Sequence, residues 1–238
     1  MGIIINIINR VRFFFRYVVA YFYVRLTCKK KMRCLFGGKS LAIVGSNPIL
    51  IGQSLGSKID QSEIVIRINL LQNDGIEKDL GSKTSYRFIG ATMLFDHIEK
   101  LARIPSQHCI ITTSKNQELL DSLNIRYVDF PSQVPKFAFR LINEICLLPK
   151  AVIASSKPPR SGIVILSLIL RYGGAKSITL YGFSFKEQDA AIAISDEGEG
   201  IREYDSNKYV KNHCHPSLES YVLMKLLNEG YILSGDSS

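Results

Sequence analysis

The chain has 238 residues, room for one sizeable α/β domain and too few for two with a linker. Its 46% hydrophobic and 21% charged residues exclude a disordered chain. The net charge of +9 is uneven: residues 1–39 hold nine basic residues and no acidic one, so the remaining 21 basic residues balance all 21 acidic ones. A nucleic-acid binder carries its basic surface on the folded domain; a basic N-terminal segment fits an anionic membrane surface instead.

In chain order, residues 3–24 are apolar and aromatic but interrupted by Arg10, Arg12 and Arg16. Arginines at the bilayer centre oppose a simple span. The segment predicts a helix lying in the membrane interface, followed by the basic cluster 29–33; packing of that helix on the domain or on a partner is the alternative. We expect 1–39 to be a membrane-associating amphipathic arm and 40–238 a single domain, with Gly37-Gly38 between them. LAIVG (41–45) predicts a buried strand ending at the turn Ser46-Asn47-Pro48, and 50–59 a helix. Strands are expected at 64–70, 84–90, 108–113, 125–130 and 178–185. Helices are expected at 91–103, 115–123, 136–147, 161–172 and 216–229, with an edge strand at 231–233. Strands alternating with helices imply a Rossmann-like, mainly parallel sheet covered on both faces. The polar segment 186–212 predicts a long loop of the kind that serves as a lid.

Several chemistries are excluded by spacing. The turn after the first strand lacks GxGxxG, which argues against a dinucleotide cofactor. Gly81-Ser82-Lys83-Thr84 lacks the glycine that a Walker A loop has directly before its lysine. Five cysteines without a CxxC pair read as free thiols, and Cys214 between His213 and His215 has no second cluster at zinc spacing. No metal site is expected, and no cofactor. Arg67 and Asn69, two apart in a strand, share one sheet face. Ser161 and Gly162 open an apolar helix, where unpaired amides and the dipole favour an anion such as a carboxylate. His215 and Glu219 lie one helical turn apart on one face.

Taken together, LAIVGSN (41–47), Leu55-Gly56 with Ile59-Asp60, VIRIN (65–69) and EKDLGSKT (77–84) resemble the large sialyl motif of glycosyltransferase family 29, the sialyltransferases. Pro159-Arg160-Ser161-Gly162 with Leu180-Tyr181-Gly182-Phe183 resembles the small motif, and His215 with Glu219 the very small one. The resemblance covers roughly 40–230 and implies the sialyltransferase-like variant of the GT-A fold. It implies that Gly45, Ser46, Asn47 and Asn69 contact the CMP part of the donor, that Ser161, Gly162 and Tyr181 complete the donor site, and that Glu219 assists His215. It further implies a metal-independent, inverting single displacement of CMP from a sialic or related nonulosonic acid by an acceptor hydroxyl, with His215 as general base. No DxD motif is present, in keeping with that. Tyr209 or His213 would stand in for the family's additional His-Tyr pair. Positions matching the disulfide of secreted-pathway members are Leu41 and Gly173, so that bridge is not expected. The implied partners are a CMP-sugar, a glycan or glycolipid acceptor, and an anionic membrane. The expected setting is a bacterial-type enzyme on the cytoplasmic face of the inner membrane, building lipopolysaccharide or capsule; a Golgi enzyme of protein glycosylation is the alternative. A CMP-Kdo transferase and a non-catalytic nucleotide- or carbohydrate-binding module remain rival readings.

Overall fold

The computed structural model describes residues 2–69, 71, 74–90, 101, 109–113, 117–185, 192–194, 201–203 and 213–236, with backbone alone for 2–17, 192–194 and 201–203. A long helix, α1 (Gly2–Phe36), leads into β1 (Ser40–Val44). A single 3-10 turn (Pro48–Leu50) and the short α2 (Gly56–Asp60) precede β2 (Ile64–Ile68). Then follow α3 (Glu77–Leu80), β3 (Tyr86–Ile89), β4 (Cys109–Thr112), α4 (Gln117–Ser122), β5 (Tyr127–Asp129) and α5 (Val134–Asn143). The chain continues through α6 (Lys150–Ile153), α7 (Ser161–Leu168) with a π-turn at Ile169–Gly173, and β6 (Ser177–Tyr181). It ends with β7 (Ile192–Ile194), β8 (Ile201–Glu203), α8 (Pro216–Asn228) and β9 (Leu233–Ser234).

Seven strands form one sheet in the order β5-β4-β3-β2-β1-β6-β9, and every pairing in it is parallel. Alternation along the strands divides the core. Leu41, Ile43, Ile64, Ile66, Phe88, Ile111 and Leu180 face a large cluster completed by α1, α5, α7 and α8. Ala42, Val44, Val65 and Tyr181 face the opposite side, against Leu50, Ile59 and Leu80; Ile89 and Ile110 pack there against Leu101 and Leu120. Both faces are covered, as a parallel sheet requires.

Three expectations meet a different outcome, and one lies almost wholly outside the described residues. Residues 50–59 are not one helix: Gly52 and Ser54 take positive φ of 82° and 53°, which break it. Segment 186–212 is not wholly irregular, because β7 and β8 pair antiparallel. The helix 91–103 lies almost wholly outside the described residues. Finally, α1 is not detached from the domain along its second half. Val24, Cys28, Met32 and Phe36 recur every fourth residue and are 0% exposed in the main core. Packing therefore begins well before the glycines at 37 and 38. All five cysteines are free.

Candidate functional site

The strand order places β2 to β5 on one side of β1, and β6 and β9 on the other. The boundary between β1 and β6 is thus the topological switch point, where open parallel sheets form a crevice beyond their carboxyl ends. The chain leaving β1 there is Gly45-Ser46-Asn47. The Gly45 amide donates to Tyr181 O (2.8 Å) and the Asn47 amide to Gly182 O (3.2 Å), so this turn is zipped to the turn after β6. The approach is close enough that a Cβ on Gly45 would lie 2.4 Å from Gly182 O. Only glycine fits.

Asn47 is buried and caps the 3-10 turn, its Oδ1 accepting from the Ile49 amide at 3.0 Å. Its Nδ2 donates to Ser184 Oγ at 2.9 Å. Ser184 O in turn accepts from Ser220 Oγ at 3.1 Å, one residue beyond Glu219 on α8. The amides of 45, 47 and 49, and both ends of the Asn47 side chain, are committed inside the fold.

Asn69 ends β2 in the left-handed region, φ 55°, with its amide bonded to Phe88 O at 2.8 Å. Its Oδ1 is buried without a hydrogen-bond partner. A buried acceptor in that condition costs about 1–3 kcal/mol until a donor arrives, which is the expected state of a ligand-binding amide. Arg67, two residues earlier, does not reach solvent. It is fully buried and donates to Leu80 O, Gly81 O, Lys83 O and Thr84 Oγ1 at 2.8–3.0 Å.

Ser161 and Gly162 start α7, as expected. The first amides bonded within the helix are those of Ile163 and Val164, both to Arg160 O, which leaves the amides of Ser161 and Gly162 at its positive end. A Cβ at Gly90 would lie 2.9 Å from Ser161 Oγ, so that hydroxyl sits at the carboxyl end of β3. The Phe183 ring bridges the two motifs: it would stand 3.3 Å from a Cβ on Gly45 and 2.6 Å from one on Gly162. The turn after β1 and the start of α7 are therefore about one aromatic ring apart.

His215 is the N-cap of α8 and is exposed. Its Nδ1 lies 2.8 Å from Ser217 Oγ and 3.4 Å from the Ser217 amide. Nδ1 accepts from that amide as the cap of α8, so the neutral imidazole in this geometry carries its proton on Nε2. Glu219 serves a different residue from the one expected. Its carboxylate is 1% exposed and turned to Arg160, accepting from the Arg160 amide at 2.6 Å and from its guanidinium. The Cys214 thiol adds a contact at 3.6 Å, and burial together with this carboxylate pushes that thiol up. The Cys214 amide also donates to Pro158 O at 3.0 Å. The start of α8 is thereby tied to the start of α7 by the chain segment on either side of His215.

Tyr181 is placed in the core. Its ring lies in the second hydrophobic cluster against Gly235, and burial, then Asp236, raises its hydroxyl above the usual range. Burial lowers His213 below the usual imidazole range, against the opposing pull of Glu219. Tyr209 lies outside the described residues. Three residues that hold the site together had no motif to announce them: Ser184, Ser220 and Asp236, whose carboxylate accepts from the Gly182 amide at 3.0 Å. Among the described residues no cluster of His, Cys, Asp and Glu is arranged to hold a metal ion.

Residues 29–128 match the family described as Glycosyltransferase family 29 (sialyltransferase). A 45-residue stretch is 53% identical to the CMP-N-acetylneuraminate-beta-1,4-galactoside alpha-2,3-sialyltransferase of Rattus norvegicus, over 19% of this chain and 12% of that protein. Over 55 residues the chain is 42% identical to a beta-1,6-galactosyltransferase of Arabidopsis thaliana, covering 23% of this chain and 14% of that one. Over 74 residues it is 36% identical to beta-galactoside alpha-2,6-sialyltransferase 2 of Homo sapiens, covering 31% and 12%. The matched stretches thus span about an eighth of these relatives' length. They come from mammals and a plant and lend nothing to a bacterial placing. A crystal structure of a mammalian sialyltransferase superposes with a TM-score of 0.57 at 19% identity, over 83% of this chain and 68% of that one. Its complex with Gal-beta-1-3GalNAc-ortho-nitrophenol gives 0.56 at 18%, over 85% and 71%. The family match thus spans residues 29–128, and the likeness to the solved structures shows a shared fold.

Proposed function

We propose that the protein transfers sialic acid, or a related nonulosonic acid, from its CMP-activated form to a hydroxyl of a glycan acceptor. The observation that carries this reading is the convergence of three distant segments at the switch point. The turn after β1, the start of α7 and the start of α8 are joined through Asn47–Ser184–Ser220 and through Arg160–Glu219. Each supplies one requirement of the chemistry. The unsatisfied Oδ1 of Asn69 offers the nucleotide an acceptor, and Asn47 holds the neighbouring turn in place. The opening of α7, with the Ser161 hydroxyl, offers amides and a positive dipole to the sugar carboxylate. His215 offers an imidazole at the rim.

In the reaction the acceptor oxygen bonds to the anomeric carbon while the bond from that carbon to the CMP phosphate oxygen breaks. The acceptor proton passes to the unprotonated nitrogen of the His215 imidazole, and CMP leaves with the electron pair of the broken bond. A single displacement of this kind inverts the anomeric centre. It needs neither a metal nor a cofactor, because the leaving group is a monophosphate whose single new charge the site's dipoles can meet. Release of CMP from CMP-sialic acid, measured with and without β-galactoside acceptors, tests the reading. Acceptor-dependent release is expected, and a His215→Ala protein that transferred at the full rate would remove the base assignment.

A second reading has an observation of its own. One relative is a galactosyltransferase, so a galactosyl donor belongs in the same assay beside CMP-sialic acid and CMP-Kdo. Turnover with the galactosyl donor alone would keep the fold and the base and replace the carboxylate-binding role of α7.

A further inference from the structure

The outer face of α1 is built in two halves. Val24, Cys28, Met32 and Phe36 turn inward, as described. On the opposite face stand Val19, Phe22, Tyr23 and Leu26, exposed to 57%, 55%, 55% and 78%. These positions follow i, i+3, i+4 and i+7 and form one continuous stripe. The same face continues at i+10, i+11 and i+14 as Lys29, Lys30 and Arg33, all exposed. A contiguous apolar stripe of this size on a helix already packed on its other side marks an interaction surface.

The charge next to the stripe says what covers it. No acidic residue occurs in 1–39, so the stripe runs into an uncompensated cationic end. A groove of roughly 780 Å3 opens beside it, between Tyr23, Leu26 and Lys30 on one wall and Phe130, Ser132 and Gln133 on the other. Within that groove Lys31 is already turned to Asp129, its Nζ 2.9 Å from the carbonyl oxygen, so Lys30 supplies the outward-facing ammonium. Aromatic and aliphatic surface beside an ammonium matches a lipid headgroup, with phosphate at Lys30 and glycerol against Leu26.

We propose that this face of α1 lies on an anionic bilayer, with Val19 to Leu26 at the headgroup–acyl boundary and Lys29, Lys30 and Arg33 at the level of the phosphates. The distance along the helix from Leu26 to Arg33 is about 10 Å. The apolar and cationic bands are therefore separated along α1, and the helix meets the surface obliquely, with its Val19–Leu26 half the deeper. Tyr23, between the two halves in the stripe, has the amphipathic ring favoured at that boundary. Among the described residues no helix is long and apolar enough to cross a membrane; the mode proposed is a helix dipping obliquely into the interface. It stands independently of the transfer reaction.

The test is co-sedimentation of the full chain with phosphatidylcholine vesicles, with and without phosphatidylglycerol, at low and high salt. Binding is expected to need the anionic lipid and to weaken with salt. The triple change Lys29→Gln, Lys30→Gln and Arg33→Gln should weaken it on the order of a hundredfold, from about fivefold per surface cation. Phe22→Asp with Leu26→Asp should weaken it at least tenfold. Both sets are exposed, so unchanged thermal unfolding shows that the variants are folded. Equal binding to neutral vesicles, no binding to anionic ones, or variants that bind as the parent does would overturn the proposal. Self-association abolished by Phe22→Asp with Leu26→Asp, in a protein that ignores vesicles, would give the stripe to a second copy instead.

Discussion

Replacing Glu219 by alanine would remove the carboxylate that ties α8 to the start of α7. Its Oε1 accepts from the Arg160 amide at 2.6 Å and its other oxygen from the Arg160 guanidinium, while the side chain is 1% exposed. Deleting one member of such a buried pair leaves the other's donors unmatched, at about 3–5 kcal/mol. The Arg160 side chain keeps 27% of its surface in water, so its guanidinium can partly rehydrate and the lower end applies, about 3 kcal/mol. In a domain of this size each kcal/mol lowers the Tm by about 2–4 °C, which predicts a fall on the order of 10 °C. Urea unfolding followed by far-ultraviolet circular dichroism suits a chain without tryptophan. A double-mutant cycle with Arg160→Ala should return a coupling of about 1–3 kcal/mol, since each change removes the same contact. If Glu219→Ala cost under about 1 kcal/mol and added independently to Arg160→Ala, the strut would be an accident of packing. Glu219→Gln separates support from proton transfer. A positioning carboxylate leaves the pH profile of transfer in place, and a displaced profile would restore the catalytic role expected from the sequence.

His215→Ala should lower kcat by about 10²–10⁴-fold with little change in donor KM, and Ser217→Ala, which deprives Nδ1 of its 2.8 Å partner, should move the acid limb of the pH–rate profile while leaving thermal stability near the parent's. Gly45→Ala sets a Cβ 2.4 Å from Gly182 O; backbone faces backbone there, so a loss of about 1–3 kcal/mol by urea unfolding is expected, together with weaker donor binding. The amides of Gly52 and Ser54 hold the Asp79 carboxylate below the usual range. A depressed folded-state pKa contributes stability above the unfolded value, lost as pH falls through the folded one; Asp79→Asn should therefore flatten the acid side of the stability–pH curve below about pH 4, and an unchanged acid limb would discount this contact.

The sheet was readable because buried parallel strands are short, β-branched and bounded by turns: β2 to β5 lie within their expected segments, and β1 and β6 begin one residue before theirs. The glycine and small-residue positions were readable for the same reason: Gly45 and Gly162 stand where backbone meets backbone or ring. Long-range polar ties were not. Ser184 is one of many serines until the fold sets it between Asn47 and Ser220, 137 residues from one and 36 from the other. Glu219 was found but given the wrong neighbour, since helical spacing shows which residues share a face and not which foreign loop packs on it. The inward stripe of α1 was present in the spacing of Val24, Cys28, Met32 and Phe36. It was masked by the lysines around it, of which Lys29 and Lys30 stand on the outer face while Lys31 turns to Asp129 of the domain. The break at Gly52 and Ser54 needed positive φ at two nearby positions, and serine gives no warning of that.

Asn69 shows how the fold holds a site residue in a conformation it would not choose. Its φ of 55° is in a region that asparagine tolerates better than most residues but that still costs free energy. Arg67, one pleat earlier, stabilises it. This guanidinium is fully buried with no carboxylate in contact, and burial, then neighbouring Arg87, pushes it down to about 10. It stays charged at neutral pH, and the carbonyls of Leu80, Gly81 and Lys83 offset that charge by pointing at it. The arginine therefore clamps the segment 80–84 against β2, two residues before Asn69. Arg67→Met keeps the apolar stem and removes the clamp. Donor binding should then fall more than stability does, because the segment can rehydrate its carbonyls while Asn69 loses its fixed φ. Calorimetric titration of CMP against parent and variant, beside urea unfolding, reads both quantities. Equal losses in the two would mean that Arg67 supports the core alone and that Asn69 keeps its conformation unaided.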